Sequence, residues 1–496
     1  MDIHSVNQLV DFSFAKRHSL LVEHFDESKA LVLHTNRTPL EAFLELQRVL
    51  KVPLAFKLCT PEAFLEALNN RYESMQQGEI ASDLENTDIQ DVLVDIPENE
   101  DLLETQESAP IIKLLNTLLS QAIKMNASDI HFEVFKEGFI VRYRIDGILH
   151  EIHKLPKNVS LLLISRIKVM AKLDIAEKKV PQDGRINLKI AGRDIDVRVS
   201  TLPSNHGERA VLRILDKKQA KLDLKHLGAR PEIIEQIHEM IHQPHGIILV
   251  TGPTGSGKTT TLYAAINNLN NQERNILTVE DPIEYDLTGV GQTQVNPKVG
   301  MTFAQGLRAI LRQDPDVIMV GEIRDKETAN IAIEASLTGH LVLSTLHTNN
   351  AIGAVIRLKD MGIQPYLIAS SLLGVVAQRL VRRLCEACRK PYHPDESERA
   401  MLGDIPSPST IYKPGGCSLC NGFGYKGRLG IYEIIILDET LKKMIHDQAS
   451  ETKIKAYANQ QFDDLRQDGI KRVLSGETSL EEMLRVTQTQ YGGEEV

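Results

Sequence analysis

The sequence predicts a multidomain α/β protein in which a mostly parallel sheet carries a phosphate-binding loop and two small α+β units come first. Three observations predict it. The run Gly252-Pro253-Thr254-Gly255-Ser256-Gly257-Lys258-Thr259 follows an apolar, strand-like stretch and fits G-x-x-x-x-G-K-[ST] without a mismatch. From about Ala229 onward strand and helix patterns alternate, which is the signature of a parallel sheet. Before that point helices and period-two strands come in groups, and an acidic stretch divides them.

In residues 1–72 the apolar runs Ser19–Val22 and Ala30–Leu33 alternate with helical patterns over Leu40–Leu50 and Pro61–Tyr72. Pro61 stands at a helix start behind Thr60 as its cap. Glu73 to Glu107 holds twelve Asp or Glu and no Lys or Arg, so residues 73–108 are expected to form a flexible, self-repelling linker. Residues 109–225 open with an amphipathic helix, Ala109–Met125, whose Ile111, Leu114, Leu115, Leu118 and Leu119 share one face. Strands follow at Ile130–Phe135, Gly138–Ile145 and Ile148–Ile152, the last two joined at Asp146-Gly147. A helix over Ser160–Leu173 and strands at Arg185–Ile190, Arg193–Thr201 and Arg209–Ile214 complete a second α+β domain. Residues 226–496 hold the parallel sheet, with strands expected at Ile247–Thr251, Asn275–Val279, Val317–Val320 and Leu341–Ser344.

The 496 residues suffice for about three domains. A 42% hydrophobic, 25% charged composition is that of an ordinary globular protein. No stretch approaches the roughly 20 apolar residues of a membrane-crossing helix; the best candidate, Pro365–Ala377, is short and interrupted by serines. The N-terminus lacks the basic-then-apolar pattern of a secretory signal, so residence in the cytoplasm is expected. Net charge is -10, and the chain has no basic tract, which argues against a nucleic-acid partner.

The loop glycines let successive backbone N–H groups point at phosphate oxygens, and the helix beginning near Lys258 adds its positive end. Gly252, Pro253, Thr254, Gly255, Ser256, Gly257, Lys258, Thr259 and Thr260 are therefore the candidate nucleotide contacts. Lys258 would reach the β and γ phosphates and Thr259 would ligate Mg²⁺. The strand Ile276–Val279 ends in Glu280-Asp281-Pro282-Ile283-Glu284, placing three carboxylates at a carboxyl-terminal strand edge, where open α/β sheets bind ligands. Such groups hold Mg²⁺ through water or orient an attacking water. After Val317–Val320, Gly321 stands where phosphate-loop enzymes usually carry Asp, and Glu322 follows. Either Glu322 takes the acidic role or the magnesium is held differently. Gly339–Asn349 is a third strand-loop unit with His340 and His347 at its ends; Ser344, Thr345, His347 and Thr348 are candidates to sense a γ-phosphate.

Cys385-x-x-Cys388 and Cys417-x-x-Cys420 are separated by 28 residues. Four thiolates suit tetrahedral Zn²⁺, and a full protein ligand set marks a closed structural site. A redox pair or unrelated buried thiols are the alternatives for such a motif. Cys59 stands alone in an apolar context and reads as a core residue.

Taken together, the phosphate loop, Thr278-Val279-Glu280-Asp281-Pro282-Ile283-Glu284, Arg312-Gln313-Asp314-Pro315-Asp316 through Gly321-Glu322-Ile323-Arg324-Asp325, and Leu337-Thr338-Gly339-His340 through His347-Thr348-Asn349 resemble the Walker A, Asp box, atypical Walker B and His box of secretion ATPases. The resemblance extends over Ala127–His131, Asp146-Gly147, Pro181–Arg185 and Ser200–Leu215, nearly all of residues 109–440. It implies a RecA-like core, a PAS-like domain before it, ATP with Mg²⁺ as cofactors, and a hexameric homo-oligomer. It also implies Glu284 as the residue activating water, Glu322 as organiser of the magnesium shell, Glu280, Asp281 and the histidines in support, and Arg198 and Arg213 reaching the nucleotide from the preceding domain. Guanidinium groups suit that task because they neutralise charge spread over phosphoryl oxygens. Val10–His18 resembles the N-terminal stretch of type II secretion ATPases, which dock on the cytoplasmic part of an inner-membrane platform protein. That implies docking through residues 1–72 and indirect membrane association; pilus assembly motors, which keep the cysteines, are the alternative, and a nucleic-acid translocase is a more distant one.

Overall fold

The computed structural model describes residues 18–25, 29–36, 38–50, 52–60, 64, 109–190, 193–216, 223–403 and 409–487. The expected helix Pro61–Tyr72 (Phe64 apart), the acidic linker 73–108 and the stretch Val10–Arg17 lie outside them. The chain divides into two compact units, residues 1–144 with 149–218, and 145–148 with 219–496.

The first unit contains two sheets. In the smaller, β1 (Leu20–Phe25) pairs antiparallel with β2 (Ala30–His34), and β2 pairs parallel with β3 (Leu54–Leu58). The helix Leu40–Leu50 makes the crossover, and its Ala42, Leu46 and Leu50, four residues apart, bury against Leu20, Val22, Ala30 and Val32. The strand β3 is an addition to the expected elements. Cys59 is half-buried beside Leu21, Leu33 and Phe64, and its thiol donates to the His34 carbonyl at 3.4 Å.

The larger sheet comprises β4 (Ala127–Phe135), β5 (Gly138–Ile145), β6 (Ile148–Leu155), β7 (Gln182–Ile190), β8 (Arg193–Ser204) and β9 (Gly207–Asp216), in the order β6-β5-β4-β9-β8-β7. Asp146 and Gly147 both have positive φ, as a two-residue hairpin turn requires. The helices Ala109–Lys124 and Lys157–Met170 pack on this sheet; Leu114, Leu115, Leu118 and Leu119 are buried, and the Tyr143 hydroxyl donates to the Leu118 carbonyl at 2.7 Å.

The second unit is built on β10 (Gly246–Thr251), β11 (Ile276–Glu280), β12 (Gly291–Gln294), β13 (Val317–Val320), β14 (Leu341–Leu346), β15 (Leu372–Leu384) and, beyond the ribbon β16 (Lys390–Tyr392) and β17 (Ile411–Lys413), β18 (Tyr425–Ile436). The order of the seven-stranded sheet is β12-β11-β13-β14-β10-β15-β18. All its pairings are parallel except that of β15 with β18. Ile247 and Leu249 enter one hydrophobic cluster while Ile248 and Val250 enter another, so β10 is buried on both faces, as helix-covered parallel sheets require. The same double burial explains the apolar run Pro365–Ala377. It divides into a short helix, Pro365–Ser371, and the start of β15. Among the described residues no helix is long and apolar enough to cross a membrane.

Candidate active site and metal centre

Parallel pairing sends every central strand out at one carboxyl edge, and the phosphate loop leaves β10 there. Gly252, Gly255 and Gly257 all have positive φ, and Gly257 caps the helix Lys258–Leu269 in the left-handed conformation. Gly252 also has no room for a side chain: a Cβ would lie 2.4 Å from the Gln378 carbonyl oxygen and 2.6 Å from Ser256 Oγ. Pro253, Thr254, Gly255 and Thr259 face solvent, Thr260 is half-buried and Ser256 is buried. Thr251 ends β10 by tying the loop to the exit of β14; its hydroxyl lies 2.6 Å from Thr348 Oγ1 and accepts the Thr348 N–H at 3.0 Å.

Lys258 is 8% exposed and folds back on its own loop, donating from Nζ to the carbonyls of Gly252 at 2.9 Å and Pro253 at 3.1 Å. Burial lowers its pKa, the charge of Glu322 opposes that shift and Arg379 reinforces it. Glu322 follows β13 directly. Its carboxylate takes the Arg324 guanidinium on Oε1 and stands 3.3 Å from His347 Nε2 through Oε2. The strand exits are locked together: Thr345 Oγ1 donates to the Gly321 carbonyl at 2.7 Å and the Ile323 N–H to the Thr345 carbonyl at 3.0 Å. A Cβ on Gly321 would meet the Phe303 ring and the Val279 carbonyl at ordinary contact distance, 3.4 Å, so space alone does not exclude a side chain there.

The carboxylates after β11 separate into different settings. Glu280 is buried, accepting from the Tyr263 hydroxyl on Oε2 and from Thr278 Oγ1 at 2.6 Å and Gln292 Nε2 at 2.9 Å on Oε1. Both its oxygens accept hydrogen bonds, which ties Glu280 into the strand end. Burial first, and the bond to Glu280 second, raise the Tyr263 pKa. The same hydroxyl accepts the Glu284 N–H at 3.3 Å, holding the segment that carries the half-buried Glu284; Asp281 is exposed.

The two histidines expected at the nucleotide are placed apart. Leu341 pairs with Gly246 and Leu346 with Thr251, so β14 brings His347 to the loop edge and leaves His340 at the opposite edge, roughly 20 Å away at the usual rise of a strand. Its Nδ1–H donates to the Ala335 carbonyl at 2.8 Å, ending the helix Lys326–Leu337. Sequence reasoning also missed two residues. Gln378 and Arg379, at the loop edge of β15, are both buried, and Arg379 Nη2 donates to the Asn349 carbonyl at 3.1 Å. The available signal was a Gln-Arg pair directly after the apolar run Leu372–Ala377 of the same strand.

In the first unit Arg213 lies opposite Arg198 across β8 and β9, and Arg198 opposite Arg185 across β7 and β8. These arginines help to line a cavity of about 440 Å³ with Asp183 and Ser200. Arg213 is 62% exposed and donates from Nε to Asp129 Oδ1 at 3.0 Å.

The four expected thiols converge after β15. Cys385 Sγ lies 3.9 Å from Cys417 Sγ, Cys388 Sγ 3.8 Å from Cys420 Sγ, and Cys417 Sγ 3.7 Å from Cys420 Sγ. All four fall within 4.8 Å of one another. A tetrahedron with Zn–S of about 2.3 Å has edges of about 3.8 Å, so the donor set fits zinc. A disulfide needs about 2.05 Å. The N–H groups of Gly416, Cys417 and Gly424 point at these sulfurs at 3.2 to 3.3 Å, the outer support thiolate ligands use. Between the two cysteine pairs in the chain, Leu402 and Ile411 pack with Val473, Leu480 and Met483 of the C-terminal helices.

A seven-stranded, mostly parallel sheet with a phosphate loop on a central strand and acids at the exits of two others is the architecture of phosphate-loop nucleotide-binding proteins. Comparison with known proteins narrows the class. Residues 104–485 match the family described as type II/IV secretion system protein, and residues 9–72 match a domain family described for GSPII protein E. The type II secretion system protein E of Dickeya dadantii is 54% identical over 97% of both chains. The type II secretion system ATPase E of Vibrio cholerae is 52% identical over 96% of both. Among solved structures, the pilus retraction motor PilT with bound ADP is 27% identical, covers 74% of this chain and 95% of its own, and superposes with a TM-score of 0.51. The Legionella pneumophila ATPase DotB, 21% identical over 79% of this chain and 98% of its own, shares the fold with a TM-score of 0.57. The chain belongs to the type II/IV secretion system protein family, in its type II protein E branch.

Proposed function

We propose that this chain is the cytoplasmic ATPase of a type II secretion system, converting ATP and water to ADP and phosphate to power protein export. The observation that carries the reading is the cluster of Lys258, Glu322 and His347 at the loop edge of the parallel sheet. Full-length likeness to type II protein E relatives and the match over residues 9–72 favour this reading over pilus assembly. The position of β14 between β10 and β13 supports a RecA-like core. The antiparallel pairings of the six-stranded sheet, with two covering helices, are compatible with a PAS-like domain.

In this reading Lys258 exchanges its loop carbonyls for the β and γ phosphate oxygens, and the loop N–H groups hold the same oxygens. Mg²⁺ when bound neutralises charge building on the phosphates; Thr259, exposed on the first helical turn, and Glu322 would hold it. Glu284 orients the attacking water and accepts its proton, while Asp281 adds charge at the rim. His347 bonds Glu322 and so reports the state of the acid to the β14 exit. Arg198 and Arg213 neutralise charge on the phosphoryl group. Zinc at Cys385, Cys388, Cys417 and Cys420 is structural. A hexameric ring and docking of residues 1–72 on an inner-membrane platform protein complete the proposal.

The test is ATP turnover and secretion by full-length wild type and Glu284→Gln in a strain lacking the native chain. Wild type should hydrolyse ATP and restore export, and the variant should do neither. Full export with the variant would overturn the reading.

A further inference from the structure

Gln378 meets the phosphate loop twice, with its main chain at the loop's start and with its side chain at the loop's end. Ala377 pairs with Thr251, so Gln378 stands beside Gly252, and its carbonyl oxygen occupies the space a Gly252 side chain would need. Its side-chain Nε2 lies 2.8 Å from where a Cβ on Gly257 would sit. Oε1 accepts from the Thr261 hydroxyl at 2.6 Å, which turns the NH₂ group toward the loop.

Gln378 is fully buried, yet among the described residues its Nε2 has no hydrogen-bond partner. Ser256 Oγ, buried within the loop, has none either. A buried donor left without an acceptor is unfavourable, and one kept in a fold calls for a functional explanation. Here a donor and an acceptor flank one loop whose lysine is itself folded onto loop carbonyls. Transfer of Lys258 to a polyphosphate frees the loop to settle.

We infer that Gln378 is a positioning residue for the phosphate loop: on nucleotide binding its amide donates to Ser256 Oγ and fixes the loop in its phosphate-gripping form. The inference rests on the nucleotide-binding reading of Gly252–Thr259. It assigns the bond between Gln378 and Ser256 to the bound state, apart from the Thr261 bond that Gln378 makes in the free chain.

The experiment measures MgADP binding by calorimetry and melting of the nucleotide-free chain for wild type, Gln378→Met, Ser256→Ala, the double variant and Lys258→Ala, all full length. Each of Gln378→Met and Ser256→Ala should weaken binding about tenfold, the yield of one buried hydrogen bond. The double variant should lose no more than either single one, because the two groups act through each other. Melting of the free chain should not fall in Ser256→Ala, whereas Gln378→Met lowers it through loss of the Thr261 bond, which is present before nucleotide binds. Additive losses, or wild-type affinity in Gln378→Met, overturn the inference, as does a fall in free-chain melting of Ser256→Ala that matches its loss of affinity. Should Lys258→Ala lose binding while Gln378→Met keeps it, this inference alone fails. A wild-type chain that binds no MgADP overturns both readings.

Discussion

The phosphate edge and the tetracysteine module organise their polar groups in opposite ways. In the module the ligand set is complete in itself, with sulfurs at metal-coordinating spacing and backbone N–H groups aimed at them. At the phosphate edge the groups occupy one another: Lys258 bonds its own loop, Glu322 bonds Arg324 and faces His347, and Gln378 and Ser256 have buried atoms without partners among the described residues. A structural site is finished before its ion arrives, whereas a working site holds substitutes for its ligand. The contrast assigns stability to one region and exchange to the other.

The largest expected effects on turnover break the exchange region. Lys258→Ala or Glu322→Gln should lower ATP turnover by about 10²–10³-fold, the usual loss when a preorganised electrostatic group is removed; steady-state phosphate release measures it. The largest expected effect on stability breaks the closed region. Replacing Cys385 and Cys417 with Ser should remove the metal and with it stabilisation on the order of 10 kcal/mol, read by zinc content and hydrogen exchange from Cys385 to Tyr425. An intact pattern of protection without zinc would erase the distinction between the two regions.

The smallest effect belongs to Glu433, buried on β18 beneath the loop edge, where it accepts the Ala351 N–H at 3.2 Å. Burial pushes its pKa up to about 7, against the pull of that N–H and of Arg379. The folded chain therefore keeps the carboxyl protonated where the unfolded chain ionises it. The stability from this group is complete below pH 4.5 and is lost as pH rises through about 7. The shift corresponds to about 3 kcal/mol. Glu433→Gln should remove this pH-dependent contribution, seen as a smaller difference between denaturant midpoints at pH 5 and pH 8.

The same contrast governs what the sequence made legible. The thiols and the phosphate loop were readable because each depends on residues close along the chain whose spacing carries the chemistry. The amphipathic helix Ala109–Lys124 and the strand Gly138–Ile145 were readable because one periodicity rules each. Groups assembled across strands were not. Glu280 looks free beside Asp281 and Glu284 until Tyr263 and Gln292 arrive from elsewhere in the chain. His340 and His347 look equivalent until the direction of β14 sends them to opposite edges. Gln378 matters only because β15 lies beside β10, a neighbour relation that local pattern does not encode.

The central claim is that nucleotide exchange and metal closure reside in separate regions. Its most direct test is the MgADP dissociation constant of zinc-stripped wild type beside that of zinc-loaded Lys258→Ala. The account predicts an unchanged constant for the stripped chain and one weakened more than about tenfold for the variant. Loss of nucleotide binding on zinc removal, or wild-type affinity in Lys258→Ala, would contradict it.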